Sequence, residues 1–379
     1  MNKLLLAFSV AALFYGDCTF GMDYDESELY ENPWKDVPSE SQNEKKPNDQ
    51  SKDELLKLQR EKIAKYESTL QKLTQELKEE REKNRLTEEK IEKLQQELKD
   101  VKLLDATRKG LLFDIQDAIK NGANINVQNQ YGDSPLLLAC NQIPIYQETT
   151  RNKKAMKIIE YLVENGADVD KAMNNGKTPL HVACGGGFLT AVKYLVEHGA
   201  DVNKAMNNGK TPLNLACGLK NTGLYKVQYL VEHGADVNKE DKDGITPLYA
   251  ASVARHLEII KYLVEHGADV NKATNEGWSP LFVAARIAAD RMGDLDIVKY
   301  LVEQGADINK ADKSGRTPLS VTSDGGNLDV IKFLVEHGAD INKADKSGRT
   351  PLSVAYSRTY PDTSFNRDVV AYLESKGAK

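Results

Sequence analysis

Asn174-Asn175-Gly176-Lys177-Thr178-Pro179-Leu180-His181-Val182-Ala183-Cys184 opens a unit that closes at Gly199-Ala200-Asp201-Val202-Asn203. Asn175-Gly176 supplies the positive backbone angles of a tight turn, and Thr178-Pro179 starts a helix with a capping hydroxyl followed by a proline pre-set for the first turn. Leu180, Val182 and Ala183 are then free to face a neighbour. A second helix carries Leu189, Val192, Leu195 and Val196 at helical spacing and stops at Gly199, where glycine accepts a left-handed cap. A helix pair this small cannot bury its own apolar stripe, so such units must stack.

The unit recurs. Thr-Pro-Leu returns at Thr211, Thr246, Thr317 and Thr350, with serine in place of threonine at Ser134 and Ser279. Pro179 and Pro212, Pro247 and Pro280, and Pro318 and Pro351 are each separated by 33 residues. These residues resemble the ankyrin repeat family, whose period this is. The resemblance covers roughly Leu103 to Lys379, about eight helix pairs, and implies a mainly α solenoid of helix pairs with short β-hairpins. Departures are also visible. The intervals from Pro135 to Pro179, Pro212 to Pro247 and Pro280 to Pro318 exceed the period, and loops, Asn141 to Asn152 and Ile287 to Met292 foremost, are expected to absorb the extra residues. The usual histidine after Pro-Leu survives only at His181, and methionine replaces the usual aspartate at Met173 and Met206, which puts local hydrogen bonding there in question.

Upstream the composition changes twice. Residues 1–21 read as a signal peptide: Asn2-Lys3, an apolar run from Leu4 to Tyr15 too short to span a bilayer, and small residues before a cleavage point near Met22. The competing reading is a lipid anchor on Cys18, although Tyr15-Gly16-Asp17 lacks the residues expected before one. Residues 22–51 are polar and acidic with few aliphatics and are expected to be a disordered linker. Residues 52–102 carry a heptad, with Leu56, Ile63, Leu70, Leu77, Asn84, Ile91 and Leu98 at one seam position and Tyr66, Leu73 and Leu94 at the other. This is the pattern of a long coiled-coil helix, and a buried Asn84 would favour a parallel homodimer. A single solvated charged helix is the alternative.

The net charge of -6 over 379 residues argues against a nucleic-acid-binding cation, so electrostatic partners must be sought in local patches. Catalytic and metal signals are weak. Cys140, Cys184 and Cys217 sit at one place in three successive repeats, where a small core residue belongs, and no spacing suits zinc. His198, His233, His266 and His337 each precede a helix-ending glycine, where imidazole can meet terminal carbonyls, and they lie a repeat apart. Gly185-Gly186-Gly187 lacks the lysine of a phosphate loop. No enzyme, cofactor or metal is expected.

Surface remains. In the family resembled, hairpin tips and first helices line a groove that binds other proteins. The corresponding positions here are Asn175 and Lys177, Asn208 and Lys210, Lys242 and Ile245, Asn275 and Trp278, Lys313 and Arg316, and Lys346 and Arg349. Lys171, Lys204, Lys239, Lys272, Lys310 and Lys343 add one cation per hairpin, giving an edge suited to an acidic protein partner. The same lysines would also keep an edge hairpin soluble. Trp278 is the apolar anchor candidate. The expected function is a secreted or extracytoplasmic, non-catalytic protein-binding scaffold. The alternatives are an envelope-associated coiled-coil oligomer in which the repeats are a spacer, and a regulator of an enzyme.

Overall fold

The computed structural model describes residues 49–79, 85–142, 150–186, 189–219, 223–290, 295–357 and 364–379. The expected signal peptide, and the linker up to residue 48, lie outside them. The chain divides into two compact units, Met1–Glu97 and Leu98–Lys379. No described helix is long and apolar enough to cross a membrane.

The first unit holds helix α1 (Asp49–Glu79) and the beginning of α2 (Arg85–Lys109). Along α1 the seam residues Ile63, Tyr66 and Leu70 are half-buried, while Ala64, Lys65, Ser68, Gln71 and Lys72 are exposed. Ile91 and Leu94 of α2 are half-buried likewise. The heptad positions Leu73, Leu77 and Asn84 lie outside the described side chains.

In the second unit the end of α2 enters the core: Leu103, Leu104, Ala106 and Thr107 are buried. Then follow α3 (Leu112–Lys120), α4 (Pro135–Asn141), α5 (Thr150–Glu164), α6 (Pro179–Gly186), α7 (Leu189–Glu197), α8 (Pro212–Gly218) and α9 (Leu224–Glu232). The series continues with α10 (Pro247–Ala254), α11 (Leu257–Glu265), α12 (Pro280–Asp290), α13 (Leu295–Glu303), α14 (Pro318–Gly325), α15 (Leu328–Glu336), α16 (Pro351–Ser357) and α17 (Ser364–Ser375). Even-numbered helices from α4 to α16 pack one on the next as an inner layer, and odd-numbered helices from α3 to α17 form an outer layer. The core runs between the layers, with Leu180, Leu195, Leu213, Leu230, Leu248 and Leu263 sealed from solvent.

Each inner helix from α4 onward begins as the sequence predicts. The hydroxyls of Ser134, Thr178, Thr211, Thr246, Ser279, Thr317 and Thr350 accept the amide three residues on, at 3.1–3.4 Å. Outer helices end on left-handed glycines such as Gly199, φ 91°. Two expectations change. Part of each of the two foremost loops is helical instead: α12 runs through Ile287 to Asp290, and α5 begins at Thr150. Helix continues there because α12 gains a partner: Ala289 packs on Gly325, and the Asn327 amide donates to the carbonyl of Ala288 at 2.7 Å. The short β-hairpins are also absent as strands among the described residues. The units project fingers instead, too short for a ladder.

Candidate functional site

The seven described fingers are residues 129–133, 173–177, 206–210, 241–245, 274–278, 312–316 and 345–349, numbered one to seven. In each, the first residue's N–H donates to the carbonyl of the fifth at 2.8–3.1 Å. Neighbouring fingers are joined by one further backbone bond in constant register: Asn174 to Tyr131, Asn207 to Asn175, Lys242 to Asn208, Asn275 to Asp243, Lys313 to Glu276 and Lys346 to Ser314, at 2.9–3.1 Å. Glycine is required at the fourth place of fingers one to six. Gly176 has φ 83°, and a Cβ there would stand 2.6 Å from the amide of Asn207. The preceding asparagines do not share the positive φ that the Asn-Gly reading implied; Arg255 is the single described non-glycine residue with one.

Met173 and Met206 leave the turn intact, because asparagine two places on takes over. Oδ1 of Asn175 accepts from the Lys177 amide at 3.0 Å, and Oδ1 of Asn208 from the Lys210 amide at 3.1 Å. The aspartate fingers use the first residue itself. Oδ1 of Asp312 accepts from Ser314 and Arg316 at 2.8 and 2.9 Å, and Oδ2 accepts from the Arg316 guanidinium at 2.6 and 2.8 Å. Asp345 and Arg349 repeat the arrangement.

The row of tip side chains divides in two. Asn175, Asn208, Lys242, Asn275, Lys313, Lys346 and Arg349 are exposed, and Lys177, Trp278 and Arg316 are half-buried. Lys210 and Ile245, expected at the accessible edge, are buried at 5% and 6% exposure. Trp278 is not a projecting anchor either. Its ring lies parallel to Phe282 with centroids 6.4 Å apart, and the Arg286 guanidinium sits 5.7 Å from its centroid. Arg316 in turn lies 5.9 Å from the Phe282 ring. The cluster of two aromatics and two guanidiniums was not legible in the finger motif because Phe282 and Arg286 both fall outside it.

The lysine ladder is largely engaged. Lys204, Lys310 and Lys343 donate to the carbonyls of Asp170, Asn271 and Asn309 in the preceding repeat at 3.2, 2.7 and 3.0 Å, and Lys272 pairs with Glu240 at 3.0 Å. Beside it runs an amide ladder. Asn203 donates to the Gly234 carbonyl and accepts from the Asp236 amide, both at 2.8 Å, and Asn126, Asn238, Asn271 and Asn309 do the same to the next repeat. The recurring asparagine after Gly-Ala-Asp was its visible signal.

Reactive groups are locked into the fold. The three described cysteines are free and buried, and burial pushes the Cys140 and Cys184 thiols up to about 12. His198, His233, His266 and His337 direct Nδ1 at the carbonyl four residues back, 2.7–2.8 Å away, with ring centroids 3.9 Å from those of Tyr194, Tyr229, Tyr262 and Phe333. Among the described residues no group of three or more His, Cys, Asp or Glu could hold a metal ion. Lys226 occupies the core place held by Ala191, Ile259, Ile297 and Val330 in other outer helices. It donates to the Cys184 carbonyl at 3.1 Å, and burial holds its pKa below the usual lysine range. It thereby joins neighbouring repeats, as His256 does at Leu219 and Asn327 at Ala288.

What the arrangement offers chemically is a rigid edge of amides and cations above an inner helical layer. The family model for ankyrin repeats, in three copies, matches residues 145–241, 218–286 and 286–379. No curated protein matches the chain. With the match spanning well over half its length, the chain belongs to the ankyrin repeat family.

Proposed function

We propose that this protein is a non-catalytic scaffold that grips a partner protein along its finger edge and inner helices. Ankyrin repeats are interaction modules. The observation that carries the reading is the constant register of the fingers: six backbone bonds tie seven tips into one edge, so side chains are presented in a row with little ordering cost on binding. Exposed Lys313 and Lys346 on the last two fingers suit acidic groups on the partner. Amides at Asn175 and Asn208 suit neutral polar ones. The heptad in 52–102 would join two chains, and residues 1–21 would direct export to the periplasm, a lumen or the exterior.

The test begins by capturing partners on the full-length mature protein and identifying them. Lys313→Glu with Lys346→Glu should then slow association several-fold and reduce its salt dependence, whereas Lys193→Glu with Lys299→Glu on the outer helices should change neither. Arg316 and Arg349 are poorer probes, because reversing them would set a second carboxylate against buried Asp312 or Asp345. Equal losses from both faces would refute the edge. Recovery of intact Met1 from the mature protein would refute export.

A further inference from the structure

The fourth finger has the frame of the sixth and seventh but lacks a part. Oδ1 of Asp241 accepts from the amides of Asp243 and Ile245, both at 2.9 Å, as Oδ1 of Asp312 accepts from Ser314 and Arg316. In fingers six and seven the fifth residue is arginine, and its guanidinium fills Oδ2. In finger one the pair is Asn129 and Asp133, joined through Nδ2 and Oδ2 at 2.8 Å. The fifth residue of finger four is Ile245, which has nothing to donate. Oδ2 of Asp241 is buried and has no hydrogen-bond partner, in a residue 6% exposed. A buried acceptor left in that state is uncommon in native proteins and calls for a reason.

We propose that finger four is a guanidinium-binding site, in which an arginine of the partner protein docks on Oδ2 of Asp241 as Arg316 and Arg349 dock on Asp312 and Asp345. The inference rests on the finger edge being the binding surface and specifies one feature of what binds there. Trp278, at the same place on the next finger, is an aromatic of the kind that already carries Arg286. A planar fork suits a carboxylate beside apolar and aromatic neighbours better than a compact ammonium. Lys210, at the same place on finger three, is buried and its charge favours the Asp241 carboxylate, but it makes no hydrogen bond to Oδ2. Burial acts more strongly and pushes this carboxyl above the usual carboxylate range, so a docking cation would be welcome.

The experiment titrates full-length protein, labelled at its backbone amides, with N-acetyl-argininamide and separately with N-acetyl-lysinamide. The arginine probe should shift the Asp243 and Ile245 amide resonances saturably, and the lysine probe should bind at least about fivefold more weakly. Asp241→Asn, which keeps the turn as Asn129 does, and Ile245→Arg, which fills the site from within, should each weaken the response about tenfold or more. Arg316→Ala should open a second site and add a saturable shift at Ser314. An absent wild-type response, equal response to both probes, or an undiminished response in Ile245→Arg overturns the proposal. If both finger-four variants fail to fold, the Arg316→Ala arm decides: no new shift at Ser314 overturns it. No partner is used, so capture through the outer helices would refute the edge reading while leaving an observed guanidinium site in place.

Discussion

The ring of His181 bridges two repeats: Nδ1 faces Thr178 of its own repeat at 2.7 Å from the hydroxyl, and Nε2 meets the backbone carbonyl of Lys210 at 3.1 Å. One unit on, Asn214 does the same work with an amide, accepting from the Thr211 N–H at 2.9 Å and donating to the Ile245 carbonyl at 3.2 Å. The bridge ties the head of an inner helix to the next finger.

His181 should make stability pH-dependent. Burial, opposed by the Lys210 carbonyl, lowers its pKa to about 4, against roughly 6.5 in the unfolded chain. Because the native ring stays neutral while the unfolded one takes up a proton, stability is full above pH 6.5 and is lost as pH falls. The slope is about 1.4 kcal/mol per pH unit until the native ring protonates near pH 4. Placing asparagine there, His181→Asn, should keep the bridge and remove this part of the slope. Denaturant midpoints at pH 7, 5.5 and 4 for both proteins decide it; parallel profiles would show that the ring does not titrate as described.

Asp170 interrupts the amide ladder. Its carboxylate accepts from the Asp201 amide at 3.2 Å through both oxygens, but has no proton for the Gly199 carbonyl that an asparagine would reach. Asp170→Asn should therefore stabilise the protein by about 1 kcal/mol at pH 7. Burial is the largest influence on Asp170 and raises its pKa, so the wild type regains stability as pH falls through that raised value and the carboxyl becomes a donor. The gain should shrink on acidification. A constant gain from pH 7 to pH 3, or a loss, would contradict the ladder.

Gly325 permits a close approach between two inner helices, α12 and α14. A Cβ there would lie 2.4 Å from the Cβ of Ala289 and 2.8 Å from its carbonyl oxygen, so Gly325→Ala should cost about 2 kcal/mol. Gly185→Ala, with nothing within 4 Å, should be neutral or slightly stabilising. Comparable thermal midpoints for the two variants would rule out the contact.

Truncation should separate the heptad from the stack, and the boundary matters. The Asp100 carboxylate accepts from the Asn124 amide at 2.7 Å, and Leu103 is fully buried, so the cut belongs after Glu97 rather than near residue 102. Residues 98–379 should remain folded as a single chain, while the full-length protein sediments as two. The same number of chains per particle in both would end the proposal that residues 52–97 set the assembly.

The chain's local rules were legible without coordinates. The 33-residue period, the hydroxyl-proline helix starts, the glycine stops and the burial of Cys140, Cys184 and Cys217 all follow from residue chemistry at short range, and a repeat needs little else to name its fold. Tertiary structure decided what depends on the neighbouring repeat. Lys210 and Ile245 read as edge residues but are buried; Trp278 reads as an anchor but is stacked; of the six lysines that read as a ladder for a ligand, Lys204, Lys310 and Lys343 hold carbonyls of the repeat before and Lys272 pairs with Glu240. A residue can recur in every repeat without revealing which group about 30 residues away it meets. Whether a polar group is spent or available is set by the stacking register, which places one repeat's donors against another's acceptors, and by that measure Oδ2 of Asp241 alone stands unanswered among the buried carboxylates described.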